Sequence, residues 1–179
     1  MIFWRVVAVS IPCLLFSGCA TKRLPIDWSN TAEVIPKIST QRDDFKKLTT
    51  YEGPNISGSL DYLFLRAWKR DSGSITYQIY VKDSYYAREW KFLTAAHDSN
   101  GVSLETVLIA RNVKSCGKPH GSFGDTYCSY EEDMGISIDR AYLVAAVEGM
   151  KFKVSGRSSE KIFTVPAGYI QAFLAVVRQ

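Results

Sequence analysis

The sequence lacks the short motifs that mark the common hydrolases. It contains no Gly-x-Ser-x-Gly and no His-Glu-x-x-His pattern, and it has only two histidines in 179 residues. Because histidine is the usual general base of a serine or cysteine nucleophile, only His97 and His120 are available for that role. No internal repeat and no low-complexity segment is visible either, which excludes repeat and fibrous architectures.

A large excess of charge is also missing. The 22 basic and 18 acidic side chains give a formal net charge of +4 at pH 7. The basic pairs Lys22-Arg23 and Lys46-Lys47 are too short to form a polybasic patch. So mild an excess indicates neither a nucleic-acid partner nor a strong phosphate-binding field.

The apolar run near the N-terminus is too short to span a membrane. The segment from Val6 to Phe16 is apolar except for Ser10 and Pro12. It has about a dozen residues, whereas a helix that spans a membrane needs roughly 20. Arg5 precedes the run, and Ser17-Gly18 closes it with small residues. A basic start, a short apolar centre and a small-residue end are typical of a signal peptide.

The end of this run carries a recognisable motif. Leu15-Phe16-Ser17-Gly18-Cys19 resembles the lipobox of bacterial lipoproteins, in which a signal peptidase cuts just before a lipid-modified cysteine. The resemblance implies a signal peptide over residues 1–18 and a mature chain attached to the membrane through acyl chains, palmitate among them, on Cys19. Ala20 stands where Asp would favour the inner membrane, so the resemblance implies the periplasmic face of the outer membrane. An ordinary secretory signal is the alternative.

The remaining length suits one domain. Removal of residues 1–18 leaves 161 residues and takes away Arg5 but no acidic side chain, so the net charge falls from +4 to +3. A chain of this size buries about 70 per cent of its unfolded surface and needs no cofactor to fold. We expect residues 19–35 to form a tether and residues 36–179 to form a single α+β periplasmic domain.

The assignment of the anchor simplifies the cysteines. Cys13 leaves with the signal peptide and Cys19 carries the lipid, so Cys116 and Cys128 remain as a pair in an oxidising compartment. Such a pair predicts a structural disulfide. In the entropy model, closing a loop of this size stabilises the fold by roughly 3 kcal/mol.

The segment between these cysteines also offers ligands and a nucleophile. Cys116, His120, Asp125 and Cys128 are all zinc-ligand types, but their spacing matches no zinc motif, and oxidation competes with metal loading. We therefore predict no metal, no cofactor and no catalytic residue. An envelope hydrolase that uses His97 or His120 is the enzymatic alternative.

Alternation of side chains predicts an antiparallel meander of about five strands. The clearest strand has Ile75, Tyr77, Ile79 and Val81 on one face, with polar residues between them. Too few residues separate the strands for helical crossovers. The predicted strands are Leu60–Trp68, Ile75–Lys82, Trp90–Thr94, Leu104–Val113 and a fifth that begins near Thr126. The strand over Leu104–Val113 is apolar on both sides, so we expect it at the centre of the sheet.

The last forty residues change character. Asp139 is placed to cap a short helix over Arg140–Glu148, and a β-hairpin follows over Met150–Val165. Pro166 suits the first position of a C-terminal helix that docks on the sheet. Its Pro-Ala-x-Tyr-Ile element, Pro166 to Ile170, resembles uncharacterised lipoproteins of Gram-negative bacteria, and this resemblance brings no activity with it.

An acidic run lies beside the fifth predicted strand, which begins near Thr126. Glu131-Glu132-Asp133 could hold a cation, but its spacing is not that of a calcium loop. We expect a solvated sheet edge there instead, where charges hinder aggregation.

An aromatic group is the remaining candidate for recognition. Tyr80, Tyr85, Tyr86 and Trp90 cluster in the sequence around one turn, and we expect most of them in the core or at its rim. Without a catalytic constellation, the sequence favours a non-enzymatic binding or assembly module. Its partner would be an envelope protein or a cell-wall component, and a structural or stress-related surface lipoprotein is a further alternative.

Overall fold

The chain forms mainly antiparallel β-sheet with a few short helices. The computed structural model describes residues 25–58, 60–118, 124–157 and 159–178. The helices are α1 (Thr31–Val34), α2 (Arg140–Ala145) and α3 (Ala167–Val176), with a 3-10 turn over Ile35–Lys37. The strands are β1 (Ser39–Asp43), β2 (Leu48–Glu52), β3 (Ile56–Ser57), β4 (Asp61–Arg70), β5 (Ile75–Ala87), β6 (Ala95–Asp98), β7 (Ser103–Leu104), β8 (Thr106–Gly117), β9 (Tyr127–Ile138), β10 (Met150–Ser155) and β11 (Glu160–Val165).

The large sheet is not a consecutive meander. Its strands run in the order β1-β2-β4-β5-β9-β8, and β3 pairs with the start of β4. After β5 the chain leaves this sheet and returns as β8, and β9 then fits between β5 and β8. The expectation of a central strand over Leu104–Val113 is therefore wrong, because β8 forms the edge. Its apolar residues stay exposed instead of being covered by a neighbouring strand.

The small sheet has the order β11-β10-β6-β7 and lies on the inner side of the large one.

The predicted strand over Trp90–Thr94 is wrong, because these residues form an irregular connection that leads into β6. Phe92 has a φ of 53°, a left-handed conformation that interrupts any strand. The alternating aromatic residues Trp90 and Phe92 therefore belong to the irregular connection and not to a regular strand.

One hydrophobic core fills the space between the two sheets and α3. In β5, Tyr77, Ile79 and Val81 are buried, as their alternation with polar residues predicts. Tyr169 of α3 is fully buried, and its hydroxyl donates to the carbonyl of Pro54 at 2.9 Å and accepts from the amide of Leu65 at 3.1 Å. The C-terminal helix is therefore tied to the backbone of the large sheet by hydrogen bonds as well as by apolar contact.

The described residues before β1 also contact the core. Asn30 caps α1 by accepting from the amide of Ala32, and Val34 at the end of α1 is fully buried. Trp28 lies with its ring centroid 5.8 Å from that of Tyr169. Residues 25–35, which the sequence assigned to the tether, thus pack against α3. Residues 1–24, with the predicted signal peptide and Cys19, lie outside the described residues.

Candidate binding face

The two faces of the large sheet differ in what covers them. Side chains of β4 alternate, so that Leu63, Leu65 and Ala67 are buried in the core. Tyr62 and Phe64 point to the opposite, outer face and are half-buried. No outward-facing residue of β4 belongs to the hydrophobic core of the described residues. Within the described ranges, the outward-facing side chains of β4 therefore pack against neighbours on the same face and not into the core.

Aromatic and cationic side chains fill the middle of this face. The rings of Phe64 and Tyr80 are stacked with centroids 4.7 Å apart, and Tyr62 lies 6.1 Å from Tyr80. The Arg66 guanidinium lies 4.7 Å from the ring centroid of Trp68 and 4.9 Å from that of Tyr80. Such cation–π and aromatic contacts stabilise one another across neighbouring strands. We call Tyr62, Phe64, Arg66, Trp68 and Tyr80 the aromatic stripe.

Arg66 is fixed by a polar neighbour and not by an acid. Its Nε and Nη2 both donate to Oε1 of Gln78, the first at 2.9 Å. Within the described residues, no carboxylate oxygen lies within 4.0 Å of its nitrogens. Burial lowers the pKa of Arg66, and the nearby Tyr80 and Glu52 act in the opposite direction. The guanidinium therefore keeps donors free for an acceptor from outside the chain.

A glycine makes room for this arrangement. Gly135 of β9 lies opposite Tyr80 of β5. A Cβ atom at position 135 would collide with the side-chain amide of Gln78. Gln78 can lie across the sheet and hold Arg66 only because position 135 has no side chain.

Charged side chains border the stripe at its Tyr62 end. Lys82 lies with Nζ 5.9 Å from the Tyr62 ring centroid, 3.2 Å from Glu131 Oε2 and 3.9 Å from Asp133 Oδ1. Burial lowers the pKa of Lys82, but the hydrogen bond to Glu131 and the charge of Asp133 outweigh it and raise the pKa. Burial raises the pKa of Tyr80 as well, and the Asp133 carboxylate adds to this effect.

A shallow pocket of about 370 Å³ opens beside these charges. Its lining residues include Lys82, Glu131, Ser57 and Ser84. It extends the outer face from the aromatic stripe toward β3. The pocket supplies both signs of charge and hydroxyl groups, which suits a polar ligand or a polar rim of a protein contact.

The acidic run Glu131-Glu132-Asp133 does not form a solvated edge, so that expectation is wrong. Glu132 is only 1% exposed and Asp133 only 7%, because β9 is an interior strand. Glu132 points to the inner face and accepts from Arg111 Nε at 3.0 Å and from the amides of Phe92 and Leu93. The Tyr85 hydroxyl donates to the same carboxylate.

A second buried carboxylate completes this inner network. Asp83 is 1% exposed and accepts from Lys91 at 2.6 Å and from Lys161 at 2.8 Å. Lys161 belongs to β11 of the small sheet, and Lys91 belongs to the connection before β6. Buried charges of this kind are expected to be paired. The network thus joins the two sheets, which is a structural task and not a ligand site.

The structure divides the predicted aromatic group between two places. Tyr85 is buried in the inner network, and Tyr85 and Trp90 both pack on Tyr130, with centroid distances of 5.6 and 4.4 Å. Tyr80 belongs to the aromatic stripe, while Tyr86 lies farther along the outer face, stacked on Tyr127. Sequence reasoning missed Tyr62, Phe64, Arg66 and Trp68 as one surface. The signal that could have found them is β4 itself, which has large side chains on both faces.

The disulfide predicted between Cys116 and Cys128 is confirmed. These residues face each other in β8 and β9 with Cα atoms 4.0 Å apart, so the bond closes the end of the hairpin. Asp125 lies beyond it and pairs with Arg88 at 2.6 Å. His120 lies outside the described residues. Among the residues that the structure does describe, no group of three or more His, Cys, Asp and Glu side chains could hold a metal ion.

His97 is half-buried in β6, opposite Lys153 of β10 and Ser103 of β7. The adjacent Asp98 carboxylate accepts from the amides of Asn100 and Val102, both at 2.9 Å, and from the Tyr142 hydroxyl at 3.3 Å. Asp98 is thus committed to the turn after β6. It does not orient His97 as the acid of a catalytic triad would.

A larger cleft of about 490 Å³ lies between this turn, α2 and the start of α3. Tyr142, Lys151 and Thr164 are among its lining residues. Burial and Asp98 raise the pKa of Tyr142 to about 12. The Tyr142 hydroxyl is therefore neutral at pH 7, and Asp98 and Glu148 add carboxyl groups to the lining of the cleft.

Comparison with known proteins finds no match for this chain, whether among protein-family models, curated proteins or solved structures. In the described part of the chain, no helix is long and apolar enough to cross a membrane.

Proposed function

We propose that this protein is a lipid-anchored, non-enzymatic binding or assembly module of the bacterial envelope. Cys19 would carry the anchor, as the lipobox-like residues Leu15–Cys19 suggest, and Ala20 favours the periplasmic face of the outer membrane. The disulfide between Cys116 and Cys128 is compatible with that oxidising compartment. The outer face of the large sheet would contact the partner.

One observation carries the binding role. Arg66 lies on a face that no described element covers, stacked between Trp68 and Tyr80. Glu52 is opposite it on β2, but among the described residues no carboxylate oxygen comes within ion-pair distance of its guanidinium. Tryptophan, tyrosine and arginine are the residues most enriched at the energetic centres of protein interfaces. The partner is therefore an envelope protein that offers a carboxylate to Arg66 and apolar surface to the rings.

A pull-down tests the proposal. Wild-type protein from detergent-solubilised envelopes should retain a defined protein, and Arg66→Ala should lose most of it. Lys151→Ala, which changes an exposed cation of the small sheet, is the matched control and should retain the partner. Binding of the wild type to purified cell-wall sacculi, with loss in Arg66→Ala, would instead indicate a cell-wall ligand. Equal recovery by all three proteins would contradict the role of this face.

Anchoring is tested separately. Cys19→Ser should abolish metabolic labelling of the protein with palmitate, because the lipid-bearing sulfur is lost. Undiminished labelling of Cys19→Ser would contradict the lipoprotein assignment and leave the binding role of the outer face to its own test.

A further inference from the structure

β8 is unusual among the edge strands of the described residues. It has 12 residues, whereas β1 at the other edge of the large sheet has five, all polar. In the described part of the chain β8 pairs only with β9, so the backbone groups of its outer side are unpaired. A long unpaired edge is a ready template for another strand.

The exposed side chains of β8 also favour pairing of this edge with another strand. Val107, Leu108, Ile109 and Val113 are 48%, 48%, 41% and 51% exposed. Edge strands normally carry charges or proline in such positions to hinder pairing. The run Val107–Ala110 instead has the composition of an interior strand, which explains why the sequence predicts a central position for it.

We propose that β8 pairs antiparallel with β8 of a second copy of this chain, about a two-fold axis perpendicular to the large sheet. The charges suit such reversal, because Glu105 is exposed just before β8, and Lys114 near its far end keeps a 56% exposed side chain although it pairs with Glu131 of its own chain at 3.0 Å. Antiparallel pairing brings the Glu105 end of each copy toward the Lys114 end of the other. A two-fold contact is self-complementary and closes after two copies.

The dimer would enlarge the outer face. An axis perpendicular to the sheet leaves the outer faces of both copies on the same side. Two aromatic stripes would then lie on one continuous surface, and a partner with repeated sites would contact both.

The mass of the full chain, purified in detergent and measured by light scattering across a concentration series, tests the pairing. The wild type should form dimers, and Ile109→Lys should weaken dimerisation at least about tenfold. The matched control is Ile162→Lys, since Ile162 is 70% exposed on β11, the edge of the small sheet. It should leave the dimer unchanged. A monomeric wild type at every concentration, or a dimer unaffected by Ile109→Lys, would overturn the proposal.

Cross-linking gives the orientation. Single cysteines placed in turn at Val107, Leu108, Ile109 and Ala110 should form intermolecular disulfides on oxidation, with the highest yield at the residue nearest the axis. Cysteine at Ile162 should give none above background. Efficient cross-linking at Ile162 with none in β8 would assign the contact to the small sheet and refute β8 pairing.

Discussion

The side-chain amide of Gln78 occupies the space above Gly135 where a Cβ atom would stand. From that position its Oε1 accepts both hydrogen bonds that hold Arg66. A backbone position without a side chain in β9 therefore determines the orientation of a cation that projects from β4, two strands away.

Gly135→Ala should release Arg66 without unfolding the sheet. The methyl group would meet the far end of a flexible side chain, so Gln78 can move aside. Each hydrogen bond contributes about 1 kcal/mol net, so the Arg66 Nε proton should exchange with water several-fold faster. Side-chain NMR measures this rate, with the exposed Arg70 as internal reference. Unchanged exchange at Arg66 would show that Gln78 does not hold it.

Glu132→Ala should destabilise the protein strongly. The substitution leaves Arg111, the Tyr85 hydroxyl and two backbone amides without their buried acceptor. Removing one partner of a buried ion pair costs about 3–5 kcal/mol in the free energy of unfolding. Urea unfolding measures it. Glu160→Ala, which breaks the exposed pair with Lys153, is the control and should change little.

The amide of Phe92 should show the local effect of removing the Glu132 carboxylate. Its left-handed backbone is held by the Glu132 carboxylate, and its ring lies between Arg111 and Arg157 at 5.0 and 4.9 Å. In Glu132→Ala, the amide exchange rates of Phe92 and Leu93 should therefore increase more, relative to the wild type, than those of β5. Equal acceleration throughout the sheet would indicate global destabilisation without a local role for Glu132.

The Cys116–Cys128 disulfide should contribute stability but not determine the fold. It closes a loop with a sequence separation of 12, for which the entropy model gives about 3 kcal/mol. The double variant Cys116→Ser, Cys128→Ser should unfold at lower urea, with unchanged far-ultraviolet circular dichroism. The wild type in reductant is the matched comparison. Loss of β-structure in both would contradict a core that is independent of the disulfide.

Acid should weaken the outer face through Glu131. Burial raises the pKa of this carboxyl, but Lys114 and Lys82 outweigh it and hold the pKa below its ordinary value of 4.5. The folded state therefore binds fewer protons there than the unfolded state. The stabilisation is complete above the unfolded pKa and is lost as pH falls through the folded one.

The corresponding measurement is urea unfolding between about pH 7 and pH 3, spanning the carboxyl range. Glu131→Gln should lose less stability than the wild type in the acid part of this range. Glu89→Gln, at an exposed position with no ion pair among the described residues, should parallel the wild type. Parallel curves for all three proteins would show that Glu131 is not the group responsible.

Local alternation predicted β4, β5, β8 and β9 but not their neighbours, and the strand that it predicted over Trp90–Thr94 does not form. Ile75 to Val81 alternate in a clear period of two, and β5 buries that face as expected. The residues of β8 predicted a central strand because they are apolar on both sides, yet strand order depends on contacts with distant segments, and β9 takes the place beside β5. Residue composition cannot distinguish a strand covered by its own chain from one covered by another copy.

The charged residues show the same limit. Glu132 has no cation near it in sequence, and its partner Arg111 comes from β8, 21 residues earlier. Only the register of β8 and β9 brings the two together. The aromatic stripe is likewise assembled across strands, since Tyr80 of β5 joins Phe64 of β4. The disulfide was predictable because the predicted signal peptide and lipid anchor accounted for the other two cysteines, Cys13 and Cys19.

The most direct test of a partner on the outer face is site-specific photo-cross-linking in intact cells. A photoreactive phenylalanine analogue at Phe64 retains the aromatic ring, and the same analogue at the exposed Val144 of α2 serves as control. The proposal predicts one adduct of defined mass at position 64, absent at position 144 and lost when Arg66→Ala is added. No adduct at position 64, or the same adduct at both positions, would contradict it.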